Sequence, residues 1–518
     1  MNDAHGNASG NATHRDAIAH IVVVGGGSAG WLTACALAAE YRQLRVTLVE
    51  SPDVAAIGVG EGTWPSMRET LQRIGVSEAD FFRECDASFK QGSRFDGWVT
   101  GAAGDTYFHP FVLPEGYGEA NLVQHWQAHY PDVSFGDLVS YQPHLCRAGR
   151  APKQPQTPEY AGVANYGYHL DAGKFGAFLQ RHATTRLGVR HVLAHVEQIV
   201  PRTGGGHAGD TVGDTVGDIA ALRTRAHGDI AGDLFIDCTG MQSLLLGRHY
   251  QVPLVSQQHI LFNDRALAVQ VPYPDHAAPV ASQTTATAQR AGWIWDIGLP
   301  TRRGVGHVYS SAHLSDDEAE RDLRAYLAAT GHPELAVAPR KIGFEPGYRA
   351  RFWHRNCLAI GLSAGFIEPL EASALALVEL SLRWLLDDMP ASRAQMDVVA
   401  ARFNHAFTYR WERVIDFLKL HYVLSRRDDS DYWRDHRRAA SVPDRVRDQL
   451  ALWRTRPPSR RDFPSNEEAF PAASYQYVLY GMGFTSAMPA RASDLPEEAA
   501  RHVLHAQRLT ARMLPLLP

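Results

Sequence analysis

One stretch limits what this chain can become. From His20 to Glu50 it reads HIVVVGGGSAGWLTACALAAEYRQLRVTLVE: a β-branched apolar run, a glycine turn, an alanine-rich segment of helical length and a second apolar run ending on an acid. Gly25, Gly27 and Gly30 stand at G-x-G-x-x-G spacing directly after Ile21–Val24, and Glu50 lies twenty residues beyond Gly30. A strand, glycine turn, helix and second strand form the βαβ unit that aims a helix N-terminus at a pyrophosphate. Glycine is required because side chains would keep the backbone N–H groups away from the phosphates. An acid at position 50, rather than Arg or Lys, suits a ribose hydroxyl and not a 2′-phosphate. An adenine dinucleotide is therefore expected, and the rest of the chain must say what is done with it.

With 518 residues the chain exceeds the size at which one core stops growing, so two subdomains are expected. A net charge of -5 gives no reason to expect nucleic acid, and no run of about 18 apolar residues is present to span a membrane. The 25 histidines are scattered without H-E-x-x-H or repeated C-x-x-C spacing, so no metal site is expected. Five widely spaced cysteines (Cys35, Cys85, Cys146, Cys238 and Cys357) suit reduced thiols in a cytoplasm better than a disulfide framework. Residues 1–18 are polar, lack the apolar run of a signal peptide and read as a disordered tail.

After Glu50, the loop Gly58-Val59-Gly60-Glu61-Gly62 can bring backbone against a flat ligand, and Thr63 or Ser66 is placed to cap a following helix. Residues 81–98 alternate apolar and polar positions around Lys90, as for a sheet lysine with Phe89, Phe95 and Trp98 nearby. Most lysines are solvated, and position alone favours that reading of Lys90. Residues 100–165, rich in Tyr, His, Pro and Trp, read as an insertion forming a substrate lid. A helix capped by Asp171 follows, then strands near 189–199. The glycine-rich stretch 204–218 repeats Gly-Asp-Thr-Val with no helix after it and is not a second nucleotide turn. Trp293 and Trp295 share one strand face, where they either wall a flat ligand or pair in the core. In CLAIGLSAGFIEPLEASALALVELSL, residues 357–382, Glu368 and Glu371 precede an apolar helix. They can be caps, and the same helix N-terminus can hold a small anion such as halide. The chain then divides into a core of 19–99 with 166–380, the insertion 100–165, and a helical lobe 381–518.

Taken in order, GGGSAGW at 25–31, GVGEGTWPS at 58–66, ASFK at 87–90, WIWDI at 293–297 and GFIEPLEAS at 365–373 resemble the flavin-dependent tryptophan halogenase family, from about residue 20 to 435. The resemblance implies an α/β fold: an FAD-binding Rossmann-like box of the flavin monooxygenase type with a largely helical substrate lobe. It matches Lys90 to the lysine between flavin and substrate and Glu371 to the glutamate facing the substrate ring. It implies FAD contacts at Gly25, Gly26, Gly27, Ala29, Gly30, Glu50, Ser51, Val59, Gly62, Leu362 and Leu375, halide on the backbone N–H groups of Ser373 and Ala374, and Trp293 and Trp295 beside flavin and substrate. Gly298 stands where the family usually has proline. Ser373-Ala374 replaces the usual Thr-Gly, which opens the choice between chloride and bromide and turns it towards bromide.

In the chemistry so implied, reduced FAD, O2 and halide yield hypohalous acid, Lys90 positions it, and Glu371 polarises the halogen or takes the ring proton. The absence of a second nucleotide fold fits a two-component system in which a separate flavin reductase supplies FADH2. A homodimer is compatible with the sequence. Flavin-dependent aromatic hydroxylation and non-catalytic flavin binding, as in a redox sensor, are the competing expectations. The substrate is expected to be an indole or another electron-rich aromatic. Arg426-Arg427 and Tyr432-Trp433 are the candidates for contacting a charged amino-acid moiety.

Overall fold

The computed structural model describes residues 17–518 other than 54–59, 203–216, 274, 276, 277, 333–336, 466, 490, 492 and 493. Val59, Gly58, nearly all of the 1–18 tail and most of the 204–218 stretch lie outside the described residues.

The βαβ unit forms as the sequence dictates. β1 (His20–Val24) is buried along its whole length, α1 (Ser28–Glu40) follows the glycine turn, and β2 (Arg45–Glu50) pairs parallel to β1 with Val22 opposite Thr47. A strand buried on both faces needs continuous apolar residues, which Ile21–Val24 provides. The six-stranded sheet runs, in spatial order, 353–354, 357–359, 234–237, β1, β2 and 190–193; only the first pair is antiparallel.

A three-stranded sheet carries the next motifs. β3 (Gly60–Gly62) and β4 (Ser88–Lys90) flank the strand Gly167–Asp171, so Gly62 lies opposite His169 and Lys90 opposite Gly167. The chain crosses at Gln91 into β5 (Gly92–Asp96) of a seven-stranded mixed sheet, whose edge is β6 (Thr106–Pro110). At the crossing, Gly92 has φ 152°, and a Cβ there would lie 2.5 Å from the His109 carbonyl oxygen. The expected alternation over 81–98 holds only from Ser88. Glu78–Glu84 is helical because Ser77 caps it, accepting from the Asp80 N–H at 3.3 Å.

The helix Met67–Arg73 forms where expected, but neither proposed cap acts on it. Thr63 Oγ1 accepts from Tyr168 N, and Ser66 Oγ donates to Glu379. Asp171 does cap Ala172–Arg186, accepting from Lys174 N at 3.0 Å. Within 100–165, β6 joins the large sheet, and the helices Leu122–His129, Phe135–Val139 and Gln142–Arg147 pack on the C-terminal helix Pro496–Leu516. The helix Ser373–Asp387 runs without a break from residue 380 into 381, where the sequence reading starts the helical lobe. Arg393–Val423 is a single long helix, and no helix among the described residues is long and apolar enough to cross a membrane. All five cysteines are buried and free.

Candidate active site

The glycine turn is shaped by contacts that exclude Cβ atoms. At Gly25 (φ 114°) a Cβ would lie 2.1 Å from the Cys238 carbonyl oxygen, and at Gly30 1.9 Å from the Gly25 carbonyl oxygen. These two glycines let the turn fold tightly onto the neighbouring strand and its own helix. At Gly27 a Cβ would meet nothing within 4 Å, which leaves the N-terminus of α1 open. α1 has no capping side chain and no acid in its first turn, so its free N–H groups remain for an anion. Glu50 folds against Gly26, where a Cβ would fall 1.3 Å from Oε2, and its Oε1 lies 2.7 Å from His191 Nε2. This cradle fits the pyrophosphate and ribose of FAD. Ala29 reaches the 3-10 turn Gly361–Ser363: a Cβ at Gly361 (φ 76°) would lie 2.8 Å from that of Ala29. Leu362 is in that turn, half-buried, and Leu375 is buried in the helix beyond. Ser51 is half-buried after β2, and its Oγ accepts from Asp53 N.

Further along the same turn-to-helix segment, Ala372 approaches Lys90 across Gly62. A Cβ on Gly62 would lie 3.2 Å from Lys90 Nζ and 3.3 Å from Ala372 Cβ, so three distant stretches meet where glycine leaves room. Lys90 is fully buried, its Nζ has no hydrogen-bond partner, and it sits 5.3 Å from the Phe111 ring centroid. Burial pushes its ammonium down to about 8, against the opposing charge of Glu371. A buried donor without an acceptor is costly and calls for an explanation, which a shifted ammonium beside a carboxylate supplies for a reacting centre.

Glu371 is held on both oxygens. His109 Nδ1 lies 2.8 Å from Oε1, Ser93 Oγ donates to Oε2 at 3.0 Å, and His421 Nε2 stands 3.4 Å from Oε1. A carboxylate only accepts, so His109 carries its proton on Nδ1. Burial works against the ionised carboxylate, but His109 and His421 outweigh it and hold the carboxyl well below the usual range. Backbone geometry is unusual here: Glu371 (φ 63°) and Ala372 (φ 54°) are both left-handed, a strain of about 1–2 kcal/mol per residue. The Trp64 indole donates to the Glu371 carbonyl oxygen at 2.9 Å and meets Phe470 edge-on at 4.9 Å. Ser373, buried, and Ala374, exposed, open the next helix, which has neither a side-chain cap nor a first-turn acid.

Trp293 and Trp295, in the large sheet, have their own partners. Trp293 donates to Glu368 Oε2 at 2.7 Å, where Tyr422 and Asn263 also donate, and burial raises the Glu368 carboxyl. Trp295 occupies the space that a Cβ on Gly306 would take. Of the candidates for a charged amino-acid moiety, Arg427 is committed to Asp429 and the Gly97 carbonyl and Tyr432 and Trp433 are fully buried on Asn263 and Gln289, whereas Arg426 is exposed. Around Glu371 the walls are instead aromatic. His109, Phe417 and Phe470 lie together, with Phe417 and Phe470 stacked at 3.8 Å. Sequence reasoning missed His109, Ser93, Trp64 and Phe470. Of these, Trp64 lies in the GVGEGTWPS motif, while Ser93, His109 and Phe470 reach the site only through the fold.

The glycine turn at the N-terminus of α1, the buried Lys90 and the pinned Glu371 belong to a mixed α/β chain of the Rossmann-like, FAD-box kind. Residues 20–498 match the tryptophan halogenase family model. The chain is 33% identical over 503 residues to a tryptophan 6-halogenase of Streptomyces toxytricini, covering 93% of this chain and 92% of that protein. A tryptophan halogenase structure from Shewanella frigidimarina superposes with TM-score 0.91 at 49% identity, covering 98% of this chain and 96% of that one. A flavin-dependent halogenase from Xanthomonas campestris does so at 0.85 and 32% identity, covering 97% of each chain. The protein belongs to the tryptophan halogenase family.

Proposed function

We propose that the protein is an FAD-dependent halogenase that substitutes one position of an indole ring, using Lys90 and Glu371 at the reacting centre. The observation that carries this is the unpartnered, fully buried Lys90 Nζ, which meets the Ala372 segment across Gly62 and feels the charge of Glu371. Bound and reduced, FAD supplies the electrons by which O2 oxidises halide to hypohalous acid. The chain's own residues direct the transfer of halogen to the ring. Lys90 donates a hydrogen bond to the hypohalous oxygen, so the halogen faces the substrate and reacts at one carbon. Glu371, ionised and fixed by His109 and Ser93, accepts the ring proton that the halogen displaces; the departing hydroxide takes a proton from Lys90 to leave as water, and the proton on Glu371 then restores Lys90. The N–H groups of Ser373 and Ala374 hold the halide at a helix N-terminus with no acid in its first turn. The walls formed by His109, Phe417 and Phe470 suit a flat apolar ring.

FADH2 comes from a separate flavin reductase, and the halogenase acts in the cytoplasm. The test supplies a flavin reductase, NADH, FAD and either bromide or chloride to the protein with a panel of tryptophan, indole and phenols. A halogen isotope pattern in an indole product is expected. Flavin turnover with only +16 products supports hydroxylation instead, and flavin binding with no product at all supports a non-catalytic role.

A further inference from the structure

A second concave feature lies at the opposite edge of the parallel sheet from the glycine turn. The starts of β1 and β2, the strand Arg190–Leu193, and the carboxyl ends of α1, Met67–Arg73 and Ala172–Arg186 enclose a cleft of about 840 Å3. Five arginines line it: Arg42, Arg45, Arg73, Arg186 and Arg190. Arg73 pairs with Glu40 at 3.0 Å. Among the described residues the other four guanidinium groups have no carboxylate partner, all four residues are exposed, and no acid lines the cleft.

Basic residues at helix carboxyl ends often do no more than offset the helix dipole. Three such ends carry about half a negative charge each, roughly -1.5 together. Four unpaired guanidinium groups exceed this and leave a surplus of about two positive charges, in a chain whose net charge is -5. The neighbouring imidazole feels two of these charges: His20 is held below its ordinary value first by burial and then by Arg45, with Asp233 opposing and Arg190 adding to the shift.

We propose that this cleft binds a multiply charged, phosphate-bearing small molecule of nucleotide size. Guanidinium forks take phosphate oxygens two at a time, and the volume falls in the range of about 300–1,000 Å3 typical of small-ligand sites. Leu44 and Leu187 give the cleft an apolar face for the uncharged part of such a ligand.

Isothermal titration of the FAD-saturated protein with ADP and with inorganic tripolyphosphate tests this, because the nucleotide cradle is then already filled. Saturable binding of at least one probe at one site per chain is expected. Affinity should weaken at least tenfold in Arg45→Gln/Arg190→Gln, with FAD affinity and halogenation unchanged. Arg42→Gln/Arg186→Gln, which alters no strand, provides the same reading if the first variant folds poorly. Binding of neither probe, or equal affinity in a folded double variant, overturns the proposal.

Discussion

Replacing Lys90 by methionine should stabilise the protein while abolishing halogenation. The ordinary lysine value is 10.5, and burial brings Lys90 to about 8. Folding therefore weakens its hold on the proton by a factor of about 300, or about 3 kcal/mol. The sign follows from proton counts. Between 8 and 10.5 the unfolded chain binds more protons than the folded one, so the penalty is full below pH 8 and fades as pH rises towards 10.5. Methionine has similar length and no charge, so Lys90→Met escapes the penalty. For a chain of this length an increase of about 3 kcal/mol at pH 7 raises the melting temperature by about 3 °C. At pH 9 the gain falls to about 2 kcal/mol. Melting at both pH values, alongside product formation and FADH2 oxidation, checks this. A destabilised variant would refute the account of Lys90 as a buried, unpartnered cation, and retained halogenation would remove it from the chemistry.

Glu371→Gln should reduce halogenation at least a hundredfold while leaving flavin oxidation intact. Its carboxyl is held low in the fold, so the stability it contributes is present above about pH 4.3 and lost below it; the variant should therefore lose less stability than the parent on acidification, measured by melting between pH 6 and 3. Ala372→Gly should add about 1 kcal/mol by relieving a left-handed alanine, yet raise the halide KM because the helix N-terminus is less firmly held. Gly25→Ala should weaken FAD binding more than a hundredfold in a flavin fluorescence titration, since its Cβ would meet backbone at 2.1 Å.

Local order is easy to read from this sequence. β1, the turn, α1 and β2 are contiguous, and their apolar pattern and glycines each demand the same conformation. The helix at Glu78–Glu84 hides within an apparent strand alternation, although the cap pair Ser77 and Asp80 marks its start. Lys90 resists for a different reason. Its burial depends on the strand Gly167–Asp171, which arrives more than seventy residues later, so only resemblance points to it. Glu371 gathers Ser93, His109 and His421 from across the chain, a set that no spacing could announce. Arg427 and Tyr432-Trp433 look available in sequence because their partners, among them Gly97, Asn263 and Gln289, are equally remote.

Trp64 gives the site a mechanical property. Its indole N–H is fixed to the backbone of the left-handed Glu371, its ring lies against Phe470 in the substrate wall, and it follows within two residues of β3 on the cofactor side. A guest that shifts β3 pulls on the carboxylate's own peptide, and a ring pressing on Phe470 pushes back along the same lever. If flavin lies on the β3 side and an aromatic ring on the Phe470 side, whatever change one makes in the other's affinity through Trp64 must be returned in equal measure.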